Sequence, residues 1–179
     1  TQNQALSALL FLYRDVLRLQ LDWMEGVVRA KAARKLPVVL AQEEMRLLLA
    51  QLEGRAWLLA AVLYGTGMRL MECLRLRVKD VDFSRNEITV REGKGARDRR
   101  TVLPASLGPM LQREVERVQA LHAADLREGF GRVWLPFALA RKYPKADRAP
   151  GWQYLFPSDR RSIDPRDGVE RRHHVDDQV

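Results

Sequence analysis

The stretch that decides the fold is GTGMRLMECLRL, at residues 65–76. The apolar run at 57–64 before it predicts a buried helix. The Gly-Thr-Gly turn then places Arg69 at the start of a second, short helix over 69–76, with Glu72 one turn later. Backbone N–H groups and the helix dipole favour an anion there, and a guanidinium can bind two phosphate oxygens at once. The stretch therefore predicts a phosphate site; the alternative is an ordinary surface ion pair between Arg69 and Glu72.

The rest of the chain predicts an α+β fold that is mainly α. Apolar residues at helical spacing predict amphipathic helices over about 4–21, 41–52 and 107–127. Between the last two, β-type runs at 78–83, 87–91 and 100–103 predict a small three-stranded antiparallel sheet. Residues 133–151 predict an inserted short helix with a basic tail. A strand-like segment at 153–156 follows it, and then a loop over 157–168.

Charge and composition narrow the class of partner. The 179 residues carry a net charge of +8 with a pI of about 10.1, and 46% are hydrophobic, enough for a packed core. A strongly basic chain of this kind usually meets a polyanion, with nucleic acid first; arginine usage in a GC-rich genome is the alternative. A single cysteine, no run long enough to cross a membrane and no metal-ligand spacing predict a cytoplasmic protein with no membrane partner, metal or cofactor.

A second candidate residue for the chemistry is Lys94, at the tip of a Gly-Lys-Gly hairpin. From residue 85 to residue 100 the hairpin has six basic and three acidic residues. A lysine flanked by glycines can reach a phosphate, or act as a general acid toward a leaving oxygen. The alternative is a solvated turn lysine.

Aromatic and imidazole side chains form a third candidate group. Trp152 follows a basic segment and can stack on an unpaired base, while His173 and His174 can contact a base or a phosphate. The alternatives are a core tryptophan and a polar loop. Adjacent histidines point in different directions, so they do not predict a metal site.

These motifs together resemble a known family. TGMRLMECLRL, KDVD at 79–82, the GKG hairpin and RTVLP at 100–104 are similar to the catalytic domain of tyrosine recombinases, the phage integrase superfamily. LARKYP at 139–144, GWQYLFP at 151–157 and RRHHVD at 171–176 resemble integron integrases, and the insertion before Trp152 is typical of that branch.

The resemblance implies roles for particular residues. Arg69 would clamp the scissile phosphate, Glu72 would orient Arg69, and Lys94 would protonate the leaving 5′ oxygen. Other residues would bind DNA: Trp152, Pro165, His173 and His174 at extrahelical bases, and Arg29, Lys31, Arg34, Lys35, Arg97, Arg141 and Lys142 elsewhere. Residues 1–22 would end an N-terminal core-binding (SAM-like) domain, 23–37 would be a basic linker, and 38–179 would be a partial catalytic domain.

The implied function is site-specific DNA recombination in a bacterial cytoplasm. The full-length enzyme would integrate and excise gene cassettes through a 3′-phosphotyrosine, as a homo-tetramer on duplex attachment sites and folded single-stranded cassette sites. The family's second box and nucleophilic tyrosine would follow residue 179. None of Tyr13, Tyr64, Tyr143 and Tyr154 suits that role, so the chain as given is expected to be limited to DNA binding. A non-catalytic DNA-binding module and a phage-type integrase acting on duplex sites are the alternatives.

Overall fold

A computed structural model of the chain describes residues 2–20, 38–91 and 98–176. They form two compact units, one up to Ala41 and one from Gln42 onward. The described part of the first unit is a helix, α1 (Gln2–Phe11), that continues into one π-helical turn at Leu12–Val16. The sequence pattern extends this helix to residue 21, but it ends earlier because Arg18 adopts a left-handed backbone with φ 53°.

The second unit contains the other helices, and their positions follow the apolar spacing closely. They are α2 (Gln42–Ala50), α3 (Gly54–Thr66), α4 (Leu70–Leu74), α5 (Gly108–Arg127) and α6 (Phe137–Lys142). Within the described ranges of the chain, no helix is both long and apolar enough to span a bilayer.

A three-stranded antiparallel sheet lies between α4 and α5, in the order β1 (Val81–Asp82), β2 (Glu87–Val90), β3 (Arg99–Val102). Its register pairs Val81 with Ile88 and Val90 with Arg99. The mainly helical fold with a small meander is therefore confirmed. The first predicted strand is shorter than expected, because residues 78–80 form a 3₁₀ turn.

The main core lies between α3, α5 and the sheet. Val62, Cys73, Ile88 and Leu111 are completely buried within it, together with Phe156 from the later part of the chain. Burial raises the pKa of the Cys73 thiol to about 12. At this pKa the side chain behaves as a small apolar group.

Of the predicted Gly-Thr-Gly turn, Gly65 and Thr66 are the last residues of α3 and only Gly67 lies beyond the helix; each glycine has a steric explanation. A Cβ on Gly65 would lie 2.8 Å from Cγ of Pro104, so only glycine allows this approach. Gly67 has φ +64°, and its N–H donates to the Leu63 carbonyl at 3.0 Å. This is the left-handed residue that commonly ends a helix.

The insertion at 133–151 packs as a small satellite core. Val133 and Leu135 pack with Ala146 and Tyr154, and Trp152 lies against this group. The buried Gln153 amide donates to the Asp147 carbonyl at 3.2 Å. The segment 153–156 is buried throughout, but it is not a strand; apart from one bridge between Arg77 and Tyr154, it runs through the core in irregular backbone.

The region predicted as a loop, 157–168, contains one short strand, β4 (Ser162–Ile163), which pairs with β5 (Glu170–Arg171) just beyond that region. Ion pairs to the end of α5 hold it in place. Asp125 accepts hydrogen bonds from Arg172 at 2.8 Å and from Arg161 at 2.9 Å. Burial raises the pKa of Asp125, but the two arginines outweigh burial and hold the pKa below its usual range.

Candidate nucleic-acid interface

Arg69 lies directly after the turn, in extended backbone, and its side chain is 60% exposed. The next residues form α4, which is only five residues long, so the predicted helix over 69–76 is too long. A dipole this short adds little, and the anion-attracting power of the site therefore rests on the Arg69 charge rather than on the helix terminus.

Glu72 is the acceptor that both neighbouring arginines share. Its carboxylate accepts from the Arg69 N–H and Nη1, each at 2.9 Å, and from Arg99 Nη1 and Nη2 at 2.9 and 2.7 Å. The Arg99 hydrogen bonds, more than those of Arg69, hold the pKa of Glu72 at about 2, although burial opposes them. The Glu72–Arg69 contact thus has the geometry expected from sequence, and Arg99 adds a second cation.

A second arginine and acid repeat this arrangement eight residues later in the chain. The Arg77 N–H donates to Asp80 at 3.0 Å, and Arg91 Nε donates to the other oxygen of the same carboxylate at 2.6 Å. The buried Arg77 guanidinium donates to the carbonyls of Trp152 and Trp134 at 2.5 and 3.1 Å. Arg77 therefore connects the end of α4 to both ends of the insertion.

These groups line one cleft of about 550 Å³. It brings together Arg69 and Glu72 with Trp152, His173 and His174, all of which the sequence predicted as site residues. Further cations of the wall are Arg75, Arg77, Arg91 and Arg166, and the remaining aromatic groups are Trp134 and Tyr154. A concave surface of cations and aromatic rings can bind phosphates and unpaired bases.

The two histidines present different chemistry to the cleft. His173 Nε2 lies 3.4 Å from the fully buried Asp164. Burial lowers the pKa of His173, and the Asp164 charge acts against that shift. His174 packs edge-on against Tyr154 with ring centroids 5.4 Å apart, and its Nδ1 lies 2.7 Å from the Val175 carbonyl. Since a carbonyl only accepts, Nδ1 carries the proton, and in the neutral ring Nε2 is an acceptor.

Trp152 separates the cleft from a second depression. The Lys79 ammonium lies over its ring, 2.7 Å from the centroid, and Arg77 lies 5.5 Å from that centroid. Burial, followed by the Arg91 charge, lowers the pKa of Lys79 to about 8, against the opposing charge of Asp80. Lys142 lines the second depression with Lys79, Arg91 and Lys145, which makes that surface basic.

The other predicted DNA-binding residues lie elsewhere. Arg141 is exposed on α6, and Pro165 is exposed in the turn between β4 and β5; neither lines the cleft. Six further residues lie outside the described part of the chain: Arg29, Lys31, Arg34, Lys35, Lys94 and Arg97. Within residues 2–20, 38–91 and 98–176, no three His, Cys, Asp or Glu side chains cluster as metal ligands would.

The positions of the tyrosines differ from those assumed from sequence. Tyr64 and Tyr13 were expected to face apolar surfaces, but their exposed fractions are 54% and 39%. Tyr143 is also exposed. Tyr154 lines the cleft, but only 7% of it is exposed, and the Arg77 guanidinium lies 4.8 Å from its ring.

Sequence reasoning did not single out Arg77, and it counted Arg99 only as part of a basic hairpin. A signal for Arg77 was present: the spacing Arg-x-x-Asp at 77–80 repeats the Arg-x-x-Glu of 69–72. No local signal marked Arg99, because its partner Glu72 is 27 residues away in the chain.

The comparison with family models identifies the class of protein. A model of the phage integrase family matches residues 38–168 of this chain. The chain belongs to the phage integrase family, the tyrosine recombinases.

Individual proteins are similar to all or part of this chain. Two proteins named integrase/recombinase, from Escherichia coli and Pseudomonas aeruginosa, are each 49% identical over 179 residues, which is 100% of this chain and 53% of theirs. The chain thus spans about half the length of these curated relatives. The tyrosine recombinase XerA of Thermococcus onnurineus is 42% identical over 80 residues, 43% of this chain and 28% of that protein. A crystal structure of XerA recombinase gives a TM-score of 0.42 at 26% identity, over 65% of this chain and 40% of that one.

Replacing Glu72 by glutamine should lower the free energy of unfolding at pH 7 by about 1–2 kcal/mol, because it removes the negative charge and one of the two acceptor oxygens that two partly exposed cations share. The folded-state pKa of about 2 lies below the ordinary value of 4.5. The ionised carboxylate therefore stabilises the fold fully above about pH 4.5, and this contribution is lost as the pH falls toward 2.

Denaturant unfolding of the wild type and Glu72→Gln between pH 2 and pH 7 measures the free energy of unfolding of each protein. The difference between the two proteins should shrink across that window. Glu87→Gln, which removes an exposed ion pair with Arg100, should change the pH 7 value by less than about 0.5 kcal/mol. A wild-type-to-variant difference that stays constant from pH 7 to pH 2 would contradict the assignment.

Proposed function

We propose that this chain is the DNA-binding part of a tyrosine site-specific recombinase in which Arg69 binds the scissile phosphate. The observation that carries the proposal is the position of Arg69. It is an exposed cation held by a fully hydrogen-bonded Glu72, on the wall of a cleft lined with cations and aromatic rings. Membership of the phage integrase family supports it.

The chemistry at this site is phosphoryl transfer without a metal or cofactor. A guanidinium beside the scissile phosphate offsets the charge that develops on the nonbridging oxygens in the transition state. Lys94 protonates the leaving 5′ oxygen, as a general acid does. In the full-length enzyme a tyrosine supplies the nucleophile and keeps the bond energy in a 3′-phosphotyrosine, so the strand can be rejoined.

The substrate includes a folded single strand with extrahelical bases, as for integron integrases that integrate and excise gene cassettes in bacteria. Trp152, His173 and His174 share the cleft with Arg69, which supports recognition of a base close to a phosphate. The full-length enzyme also binds duplex attachment sites and assembles as a homo-tetramer on DNA. Residues 1–22 end a core-binding domain, and 23–37 form a basic linker to the catalytic domain.

One observation favours a second candidate, an integrase or binding module that acts on duplex DNA alone. Trp152 packs against the satellite core, and Lys79 covers its ring. A tryptophan held in this way can serve packing only, in which case the cleft binds phosphates without stacking a base.

The variant Arg69→Gln tests the phosphate site. It should lower DNA affinity about tenfold at low salt, about 1.4 kcal/mol, and reduce the salt slope by about one phosphate contact. Fluorescence anisotropy across a salt series measures both quantities. Arg113→Gln removes the same charge from the exposed face of α5, outside the cleft. Equal losses for the two variants would assign the effect to net charge and contradict the proposal.

The variant Trp152→Ala separates the two substrates. Loss of stacking should weaken binding of a hairpin with an extrahelical base by about 1–3 kcal/mol, with little change for the matched duplex. Trp152→Phe should keep most of the affinity, and circular dichroism checks that each variant is folded. An equal loss of affinity for both substrates would favour the second candidate, which acts on duplex DNA alone.

The 179-residue polypeptide by itself should form no covalent DNA intermediate, because none of its four tyrosines offers an accessible hydroxyl in the cleft. Incubation with a nicked suicide substrate and denaturing electrophoresis measure this. Tyr154→Phe is the control, since Tyr154 is the tyrosine that lines the cleft. An adduct that this substitution abolishes would make Tyr154 the nucleophile and overturn the expectation.

A further inference from the structure

Arg99 has an arrangement that the proposed phosphate site does not by itself explain. Both of its terminal nitrogens donate to Glu72, one to each oxygen, at 2.9 and 2.7 Å. This bidentate geometry is the strongest form of an arginine–carboxylate pair. Arg69 uses only Nη1 of its guanidinium on the same carboxylate. Glu72 is therefore held mainly by Arg99, and only secondarily by Arg69.

The charges of Arg69, Glu72 and Arg99 explain why the contact between Arg99 and Glu72 affects phosphate binding. Arg69 and Glu72 alone are neutral as a pair, and such a pair attracts a phosphodiester weakly. With Arg99 the group carries a net charge of +1. The carboxylate is only 9% exposed, so water screens it little, and without Arg99 it would compete with a phosphate for Arg69.

The hydrogen-bond donors of Arg69 also indicate that Arg99 binds Glu72 while Arg69 stays available to a phosphate. A guanidinium has five N–H donors. Among the described residues, the Arg69 side chain donates only through Nη1, and to Glu72 alone. Its 60% exposure leaves the remaining donors open to the cleft. Arg99 and the Arg69 backbone N–H together fill three of the about four acceptor positions of the Glu72 carboxylate, which leaves one for the Arg69 guanidinium.

Arg99 also connects the two parts of the chain that carry the proposed chemistry. It is the first residue of β3 and pairs with Val90 at the end of β2. Residues 91–98, which include Lys94, join these two strands. On the other side of this connection, Arg91 is bound to Asp80. Arg99 thus fixes the base of the connection to the start of α4, one turn from Arg69.

We propose that Arg99 is a positioning residue of the phosphate site: it saturates Glu72, so that Arg69 remains free to bind a phosphodiester and the net charge of the group stays positive. This inference rests on the proposed role of Arg69. It predicts that Glu72 becomes inhibitory when Arg99 is removed, which a purely structural ion pair does not predict.

The experiment measures binding of a fluorescein-labelled hairpin oligonucleotide to the 179-residue chain. Arg99→Gln should lower the affinity about tenfold at low salt, as a lost charge-assisted contact does. The double variant Arg99→Gln/Glu72→Gln should recover to within about threefold of the wild type, because the competing carboxylate is gone. If the double variant is as weak as Arg99→Gln or weaker, Arg99 does not act through Glu72 and the inference fails.

Two controls separate this effect from net charge. Arg99→Gln/Glu87→Gln restores the same total charge through an exposed acid on β2, and it should remain weak. Arg100→Gln removes the neighbouring, 65% exposed arginine of β3, and it should change affinity by less than about threefold. Equal recovery with Glu87→Gln, or an equal loss in Arg100→Gln, would overturn the inference.

The same series distinguishes failure of this inference from failure of the proposed function. If Arg69→Gln weakens binding and Arg99→Gln does not, the phosphate site stands and the positioning role is wrong. If Arg69→Gln binds as tightly as the wild type, the phosphate site itself is wrong. Should Arg99→Gln fail to fold, Arg99→Lys keeps the charge but cannot bind both oxygens. It should lose about threefold and be rescued by Glu72→Gln; no loss, or no rescue, would contradict the inference.

Discussion

The structure around the cleft depends on one carboxylate that is almost fully buried and almost fully hydrogen-bonded. The Glu72 side chain is only 9% exposed, so water solvates its ionised form little and the arginines on both sides stabilise it instead. Arg69 provides one from its own helical turn, and Arg99 provides the other from β3. The start of β3 must therefore lie against the start of α4. Two residues further along β3, the Thr101 hydroxyl donates to the Thr66 carbonyl at 3.1 Å and adds to the same contact.

Arg77 acts as a second such constraint in the lining of the same cleft. Its guanidinium is buried and binds carbonyls on both sides of α6, so the insertion folds around a fixed charge rather than extending as a free loop. This makes the insertion a wall of the cleft. Arg77 binds the backbone carbonyls of Trp134 and Trp152, and both residues line the cleft. The contacts of Glu72 with its arginines and of Arg77 with Asp80 together position the residues that line the cleft.

Much of the fold was predictable because the helices and the meander follow simple periodic patterns. The errors have local causes. Residues 78–80 were predicted as strand, but the Arg77 N–H finds an acceptor in Asp80 and a 3₁₀ turn forms instead. The run at 153–156 is apolar because the core surrounds it, and a buried segment needs no strand partners to have that composition. Strands β4 and β5 are two residues each, too short to show any alternation.

In the site, the contact between Arg69 and Glu72 follows from their spacing on a helical turn. By contrast, the meeting of Trp152 with Arg77 joins residues 75 apart, which no local pattern encodes.

The covered ring of Trp152 links this architecture to the choice of substrate. A base can stack only on an exposed aromatic face, and the Lys79 ammonium occupies one face of the ring. Partial burial, followed by the Arg91 charge, lowers the pKa of Lys79 to about 8 although the residue as a whole is exposed, so Lys79 gains from a new anionic partner. A nucleic acid offers both a ring that can stack on Trp152 and an anion for Lys79, because each base is linked to a phosphate. When the base replaces Lys79 on the ring, the phosphate can receive the displaced ammonium, and the loss of one cation–π contact is offset by an ion pair. A free base without a phosphate offers no such exchange. If Trp152 stacks a base as proposed, its pairing with Lys79 therefore favours a nucleotide in a strand over an isolated aromatic ligand.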